Sequence, residues 1–298
     1  MKSLVTGGCG FIGSHIVDKL ISLGHEVVVI DNESAESNEK FYKNKKAEYH
    51  QYNITDHALI EPLFKGVDYV FHLAAESRIQ PTLERPQDAC MTNFYGTCNV
   101  LQASRKHKIK RVIYSSTSSA YGLNEASPLT EDLPRDCLNP YSVSKVAAED
   151  LCKMYFTLWN VPTITLRYFN VYGERQPVKG QYAPVIGIFL RQKKDKEALT
   201  IVGDGEQRRD FTHVSDVVQA NINAMNTVYK NSFGKIFNIG TGQNHSVLEV
   251  ANIISSNQKF IPPRKGEARN TLADISQANS FLNYKPTINL EDWVQSQL

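Results

Sequence analysis

No apolar run in this chain approaches the roughly 20 residues a membrane-spanning helix needs. Cysteine is sparse. The five residues Cys9, Cys90, Cys98, Cys137 and Cys152 are odd in number and form no CxxC pair. That points away from a disulfide framework and from a zinc site, and they read as reduced thiols in a cytoplasmic protein. The eight histidines show no ligand spacing and no HExxH, so no metal is expected. Excess charge of one sign is also missing. A net charge of +2 gives no electrostatic reason to expect nucleic acid or a membrane as partner, and any basic site must be local. The N-terminus meets Gly7 before an h-region could form, so no signal peptide is expected. Internal repeats and low-complexity tracts are absent as well.

What remains is an ordinary globular balance, 41% hydrophobic and 21% charged over 298 residues, enough for a large core in one or two domains. The first 31 residues carry a specific pattern. A short apolar run, Ser3 to Thr6, ends in Gly7-Gly8-Cys9-Gly10-Phe11-Ile12-Gly13. Phe11, Ile12, His15, Ile16, Leu20 and Leu23 then recur at helical spacing until Gly24, and Val27 to Ile30 is a second apolar run ending at Asp31. Strand, glycine turn, helix, strand and acid in this order describe a dinucleotide-binding unit. Gly7, Gly10 and Gly13 allow a tight turn and close approach of a pyrophosphate to the helix N-terminus. Asp31, eighteen positions after Gly13, is placed to accept hydrogen bonds from both ribose hydroxyls, and its charge would repel a 2′-phosphate. NAD is therefore favoured over NADP.

Alternation continues downstream. Residues 32–46 read as a polar loop, and Ala47 to Ile54 as a third strand with Asn53 and Ile54 where an adenine could lie. Asp56 to Phe64 reads as helix and Tyr69 to Leu73 as a fourth strand running into the small Ala74 and Ala75. A long helix from Gln87 to Lys106 carries Asn93, and Arg111 to Ser115 is a fifth strand with Thr117 just beyond its end. The next helix carries Tyr141 and Lys145, and Thr163 to Arg167 follows as a strand. This order predicts an α/β fold, a Rossmann-like doubly wound parallel sheet with ligands at the carboxyl ends of its strands. From Tyr168 the pattern becomes irregular, and a smaller α/β cap interleaved in sequence is expected. We assign 1–168 and 214–239 to the NAD-binding unit, and 169–213 with 240–298 to a substrate-binding cap.

Tyr141 and Lys145 are four apart and share one helix face. A free tyrosine, with a pKa of about 10, is a poor base at neutral pH. A lysine ammonium beside it would favour the phenolate, making a group able to take a proton from an alcohol and return it. Thr117 or a neighbouring serine stands where it would orient that alcohol.

Together, GGCGFIGS, FHLAA, the Ser/Thr run before Tyr121-Gly122, NPYSVSK, RYFNVYG, GDGEQRRDF and RKGEARNTLAD span the chain. They resemble the extended short-chain dehydrogenase/reductases, and among them the nucleotide-sugar 4-epimerases. The resemblance implies an NAD held throughout the cycle and a UDP-sugar substrate. It implies Tyr141 as base, Thr117 at the sugar O4, and Lys145 on the nicotinamide ribose. The implied cofactor set adds Phe11, Ile12, Asn32, Leu73, Asn93, Ser115 and Tyr168 to the glycines, Asp31, Asn53, Ile54, Ala74 and Ala75. Asn170, Arg209 and Arg264 match diphosphate-binding positions, with Ser118 and Ser119 beside the sugar. Arg208, Arg175 and Lys179 stay ambiguous between ligand and surface charge.

Related 4,6-dehydratases carry an Asp-Glu pair where this chain has Ser118 and Ser119, and related decarboxylases use a nearby Glu. Both reactions are therefore disfavoured. Thr271 aligns with the position that gates the sugar's 2-substituent. Being small, it implies UDP-GlcNAc/UDP-GalNAc, with UDP-Glc/UDP-Gal alongside. Arg78 either faces the sugar, where it would suit a uronate carboxylate, or sits on the surface, so UDP-glucuronate stays open. The alternative from another class is a non-catalytic NAD-binding protein. The resemblance also implies a homodimer, joined through the helices of Asn93 and Tyr141, and a place in polysaccharide biosynthesis.

Overall fold

The computed structural model describes residues 1–35, 40–77, 79–178, 183–263 and 268–298. Its centre is a seven-stranded sheet in which every pairing is parallel. Six strands come from the first part of the chain: β1 (Lys2–Thr6), β2 (Glu26–Ile30), β3 (Glu48–His50), β4 (Tyr69–His72), β5 (Arg111–Thr117) and β6 (Thr163–Tyr168). The seventh, Lys235–Ile239, joins the far edge beside β6, and the order runs from it through β6, β5, β4, β1 and β2 to β3. The reversal of winding falls between β1 and β4, the switch point where a crevice opens at the strands' carboxyl ends.

Burial on both faces explains the nearly continuous apolar strands. In β1, Val5 packs into one core with α1 (Phe11–Ser22) and the helix Val214–Asn226. Its neighbour Leu4 packs into the opposite core with the helices Thr97–Lys106 and Pro140–Trp159. A third core, built on Ile186, Phe189, Leu199, Ile201, Val250 and Val294, belongs to the chain's later part. There a two-stranded parallel ribbon pairs Leu199–Val202 with Gln258–Ile261. Two-residue pairings join Arg208–Arg209 to His245–Ser246 and Val171–Tyr172 to Thr212–His213.

Several expected boundaries move. The third strand stops at His50, because the Asn53 side chain closes a turn on Thr55 N–H (3.0 Å) and Asp56 caps the following helical turn. The expected long helix around Asn93 is interrupted. Pro86–Ala89 and Thr97–Lys106 are α-helical, while Cys90–Gly96 is a π-helical turn in which the Thr97 hydroxyl donates to the Asn93 carbonyl (2.6 Å). β5 runs two residues further than expected, so Thr117 ends the strand and caps the short turn that follows.

Candidate active site

The glycine turn is shaped by contacts as well as torsions. Gly7 has φ +72°, and a Cβ there would lie 2.7 Å from Ala74 N. A Cβ on Gly13 would collide with the Gly7 carbonyl, so glycine is what lets α1 pack onto the turn. α1 starts at an extended Gly10 with no side-chain cap and no acid in its first turn. Its first amides and its positive dipole end are left for an anion. Asp31 stands across from them. Its carboxylate accepts Cys9 N–H (2.9 Å) and Glu33 N–H (2.8 Å), one on each oxygen. Burial pushes its pKa up while those amides pull it down. Each oxygen keeps a second lone pair for a ribose hydroxyl.

These groups line a cavity of about 430 Å³. Gly7, Gly10, Phe11, Ile12, Gly13, Asp31, Asn32, Asn53, Ile54, Leu73, Ala74, Ala75, Ser115, Tyr141, Lys145 and Tyr168 all face it. Asn93 is not among the residues that line it. It is fully buried and its amide is spent on protein. Oδ1 accepts Glu76 N–H (2.8 Å), and Nδ2 donates to the Glu76 carbonyl (3.0 Å) and to Ser144 Oγ (3.0 Å). Asn93 therefore ties the chain after Ala75 to the turn of helix that carries Tyr141.

Behind the cavity wall lies a second polar chain that sequence reasoning missed. Thr97 gives its proton to the Asn93 carbonyl, so it must accept from His72 Nε2–H (2.8 Å). His72 Nδ1 then accepts from Thr6 (2.6 Å), and Thr6 Oγ1 accepts Ala74 N–H (3.2 Å). Burial, with Lys145 adding repulsion, holds His72 neutral with a pKa of about 3. The carboxyl ends of β1 and β4 are thereby fixed in relation to each other.

Tyr141 sits in the first turn of Pro140–Trp159. The helix starts where it does because Asn139 and Ser142 form a reciprocal cap, with Asn139 Oδ1 accepting Ser142 N–H (2.9 Å), and Pro140 occupies the first position. The Thr117 hydroxyl is near enough to the Tyr141 phenol to favour its phenolate. Lys145, 3% exposed, holds its ammonium 4.4 Å over the Tyr114 ring. The electrostatics differ from the sequence expectation that Lys145 holds the phenol down. Burial raises the Tyr141 pKa, the Thr117 hydroxyl opposes that rise, and burial drops Lys145 to about 7. For both groups desolvation is the largest cause, and it disfavours the charged form of each. The Tyr168 ring lines the cavity while its hydroxyl is tied to Ser115 (2.8 Å) and Asn221 (2.8 Å).

A second cavity of about 460 Å³ opens beyond this set. Ser118, Ser119 and Asn170 line both, while Tyr141 and Thr117 line the first only. Arg209 and Thr271 line the second cavity. Gln207, Asn139, Tyr172, Phe189 and Phe211 line it too, and nothing in their spacing singled them out. The expected ligands Arg78 and Arg264, and the ambiguous Lys179, lie outside the described residues. Arg208 and Arg175 are ion-paired with Glu249 and Asp18 respectively.

Fold and cavity define a dinucleotide-binding protein of the doubly wound class, with Thr117, Tyr141 and Lys145 on the wall of its first cavity. Comparison with known proteins is more specific. The profile of the NAD dependent epimerase/dehydratase family matches residues 3–240. A Methanocaldococcus jannaschii protein, provisionally named UDP-glucose 4-epimerase, is 40% identical over 300 residues, covering 98% of this chain and 95% of its own. The UDP-N-acetyl-alpha-D-glucosaminuronate decarboxylase of Bacillus cytotoxicus is 35% identical, covering 100% of this chain and 96% of its own. The solved UDP-N-acetylglucosamine 4-epimerase of Methanobrevibacter ruminantium, in complex with UDP-N-acetylmuramic acid, superposes with a TM-score of 0.93 at 32% identity, covering 99% of this chain and 96% of that one. The chain belongs to the NAD dependent epimerase/dehydratase family. Its cofactor is NAD, which the glycine turn, the uncapped start of α1 and Asp31 fit.

Proposed function

We propose that this protein inverts C4 of a nucleotide-linked sugar, with UDP-GlcNAc/UDP-GalNAc as the leading pair and UDP-Glc/UDP-Gal alongside. The observation that carries this reading is Tyr141 and Thr117 together on the wall of the cofactor cavity, beside Ser118, Ser119 and Asn170, which that cavity shares with a second one of similar size. Bound NAD supplies a hydride acceptor and donor. The chain's own residues do the rest. Thr117 orients the sugar O4, and Tyr141 takes the O4 proton as C4 is oxidised and returns it as C4 is reduced. Lys145 holds the ribose and the local charge. Asn170, Arg209 and Arg264 hold the diphosphate while the 4-keto sugar turns over between the two half-reactions.

Ser118 and Ser119 support epimerisation over dehydration and decarboxylation, since neither has a carboxyl to move a proton at neutral pH. Thr271 on the second cavity supports a substrate with a bulky 2-substituent. UDP-glucuronate is the second reading, favoured by the uronate-processing relative and by Arg78. Proton NMR of the protein with each UDP-sugar in turn, without added cofactor, separates these. Turnover of the N-acetyl sugar supports the reading of Thr271. Turnover of unsubstituted hexose alone refutes it, and turnover of glucuronate alone transfers the role to Arg78.

We also propose a homodimer. Met91, Phe94 and Tyr95 on one helical segment, and Val143, Met154 and Leu158 on the neighbouring helix, are exposed along two adjoining faces. A second copy would bury them in a four-helix arrangement.

A further inference from the structure

Asp210 carries a carboxylate that faces neither cavity, yet three pieces of the second cavity hang on it. It is fully buried. Oδ1 accepts Thr241 N–H (2.7 Å), and Oδ2 accepts Gly242 N–H (3.0 Å) and Ala273 N–H (3.2 Å). The Thr241 hydroxyl lies 2.8 Å from Oδ1 and 2.9 Å from the Gln243 carbonyl, with one proton for the two. The donors come from two separate segments: the turn after the edge strand Lys235–Ile239, and the chain just past Thr271. The Asp210 backbone reaches a third. Its N–H donates to the Thr271 carbonyl (3.0 Å), and its carbonyl accepts Asn170 Nδ2 (3.1 Å). Arg209 is its neighbour in sequence, and Arg209, Asn170 and Thr271 all line the second cavity.

We infer that Asp210 is the positioning residue of the nucleotide-sugar site. It fixes Arg209, Asn170 and Thr271 relative to the end of the main sheet without touching the substrate. The assignment rests on reading the second cavity as a nucleotide-sugar site. A buried carboxylate close to a diphosphate would by itself repel it. Here three backbone amides solvate that charge, and they make it a rigid junction of three segments. No neutral side chain of the same size does this. With Asp210→Asn, one end of the side chain becomes an NH₂ group and faces N–H donors whichever way it is turned, so at least one bond is lost and two donors meet.

The test compares wild type, Asp210→Asn, Thr241→Val and Thr241→Ser, each purified with its own NAD. Titration calorimetry with UDP measures the site without reference to the sugar. Steady-state kinetics on the sugar that wild type converts then splits KM from kcat. Asp210→Asn is expected to keep its NAD, weaken UDP by roughly tenfold and raise KM by a similar factor, with kcat within about threefold of wild type. Thr241→Val is expected to weaken UDP roughly threefold, and Thr241→Ser to restore it. An Asp210→Asn protein that binds UDP as wild type does, or that loses kcat at constant KM, overturns the role given to Asp210. If Asp210→Asn does not fold, the Thr241 pair decides, and equal UDP affinity in Val and Ser overturns it. A wild type that keeps NAD but does not bind UDP is a different failure. It removes the nucleotide-sugar reading itself, and the role of Asp210 with it.

Discussion

Tyr141 is half-buried, and desolvation raises its pKa against the opposing pull of Thr117, so it is a poor base except where an alcohol is held against it. Removing its hydroxyl leaves the fold but no proton acceptor. Tyr141→Phe is expected to lower turnover by about 10²–10⁴-fold with NAD still bound. Turnover within a factor of a few of wild type would discard the assignment. His72 gives a residue-scale expectation for stability. Its folded pKa of about 3 lies below its ordinary 6.5, so between those values the unfolded chain binds a proton that the folded one refuses. Stability is therefore lost as pH falls from about 6.5 towards 3, by ~2 kcal/mol at pH 5 from this group. Calorimetric unfolding at pH 5 in buffers of different ionisation enthalpy should show this uptake in wild type, and one proton less in His72→Asn. Equal uptake in both would mean that His72 is charged in the folded protein.

At the scale of elements, a buried ion pair ties the helix that presents Tyr141 to the sheet. Arg167 on β6 donates twice to Glu149, Nε at 2.9 Å and Nη2 at 2.7 Å, and the Ser116 hydroxyl of β5 donates to the same carboxylate at 2.6 Å. Both charged side chains are essentially inaccessible. Breaking such a pair strands a buried charge. Glu149→Gln is expected to cost about 3–5 kcal/mol in urea unfolding, and the paired change Glu149→Met with Arg167→Met less than that. An unchanged midpoint for Glu149→Gln would show that the pair does not hold the helix. Nothing in the sequence singled out this pair, because two charges eighteen residues apart carry no periodicity. The glycine turn, Asp31 and the Tyr141–Lys145 spacing are local patterns that a sequence displays directly, and the structure brings all of them to one cavity. The interrupted helix at Asn93 was not legible, since there Thr97 bonds back to a carbonyl and Asn93 bonds to Glu76 in the loop after β4.

For the whole molecule, alternating strands and helices were enough to anticipate the doubly wound sheet, and the edge strand Lys235–Ile239 was legible as a late return to it. The later part was harder to read. Its pairings at Arg208–Arg209 and Val171–Tyr172 are two residues long, too short for a pattern, and its ribbon at Leu199–Val202 pairs with a strand more than fifty residues away. The exposed apolar faces around Phe94 and Val143 belong to this scale too. Sedimentation equilibrium should give twice the 33.6 kDa chain mass, and Phe94→Glu should return the monomer. A wild-type monomer at micromolar concentration would leave those faces without a second copy. The central claim is that C4 is oxidised and reduced again within one active site, with Tyr141 moving only the O4 proton. It is tested most directly by running the conversion in D₂O with no added cofactor and reading the product by NMR and mass spectrometry. The expected product is the C4 epimer with its original hydrogen still on C4. An epimer carrying deuterium at C4, or a product that has lost water or carbon dioxide, would contradict the mechanism.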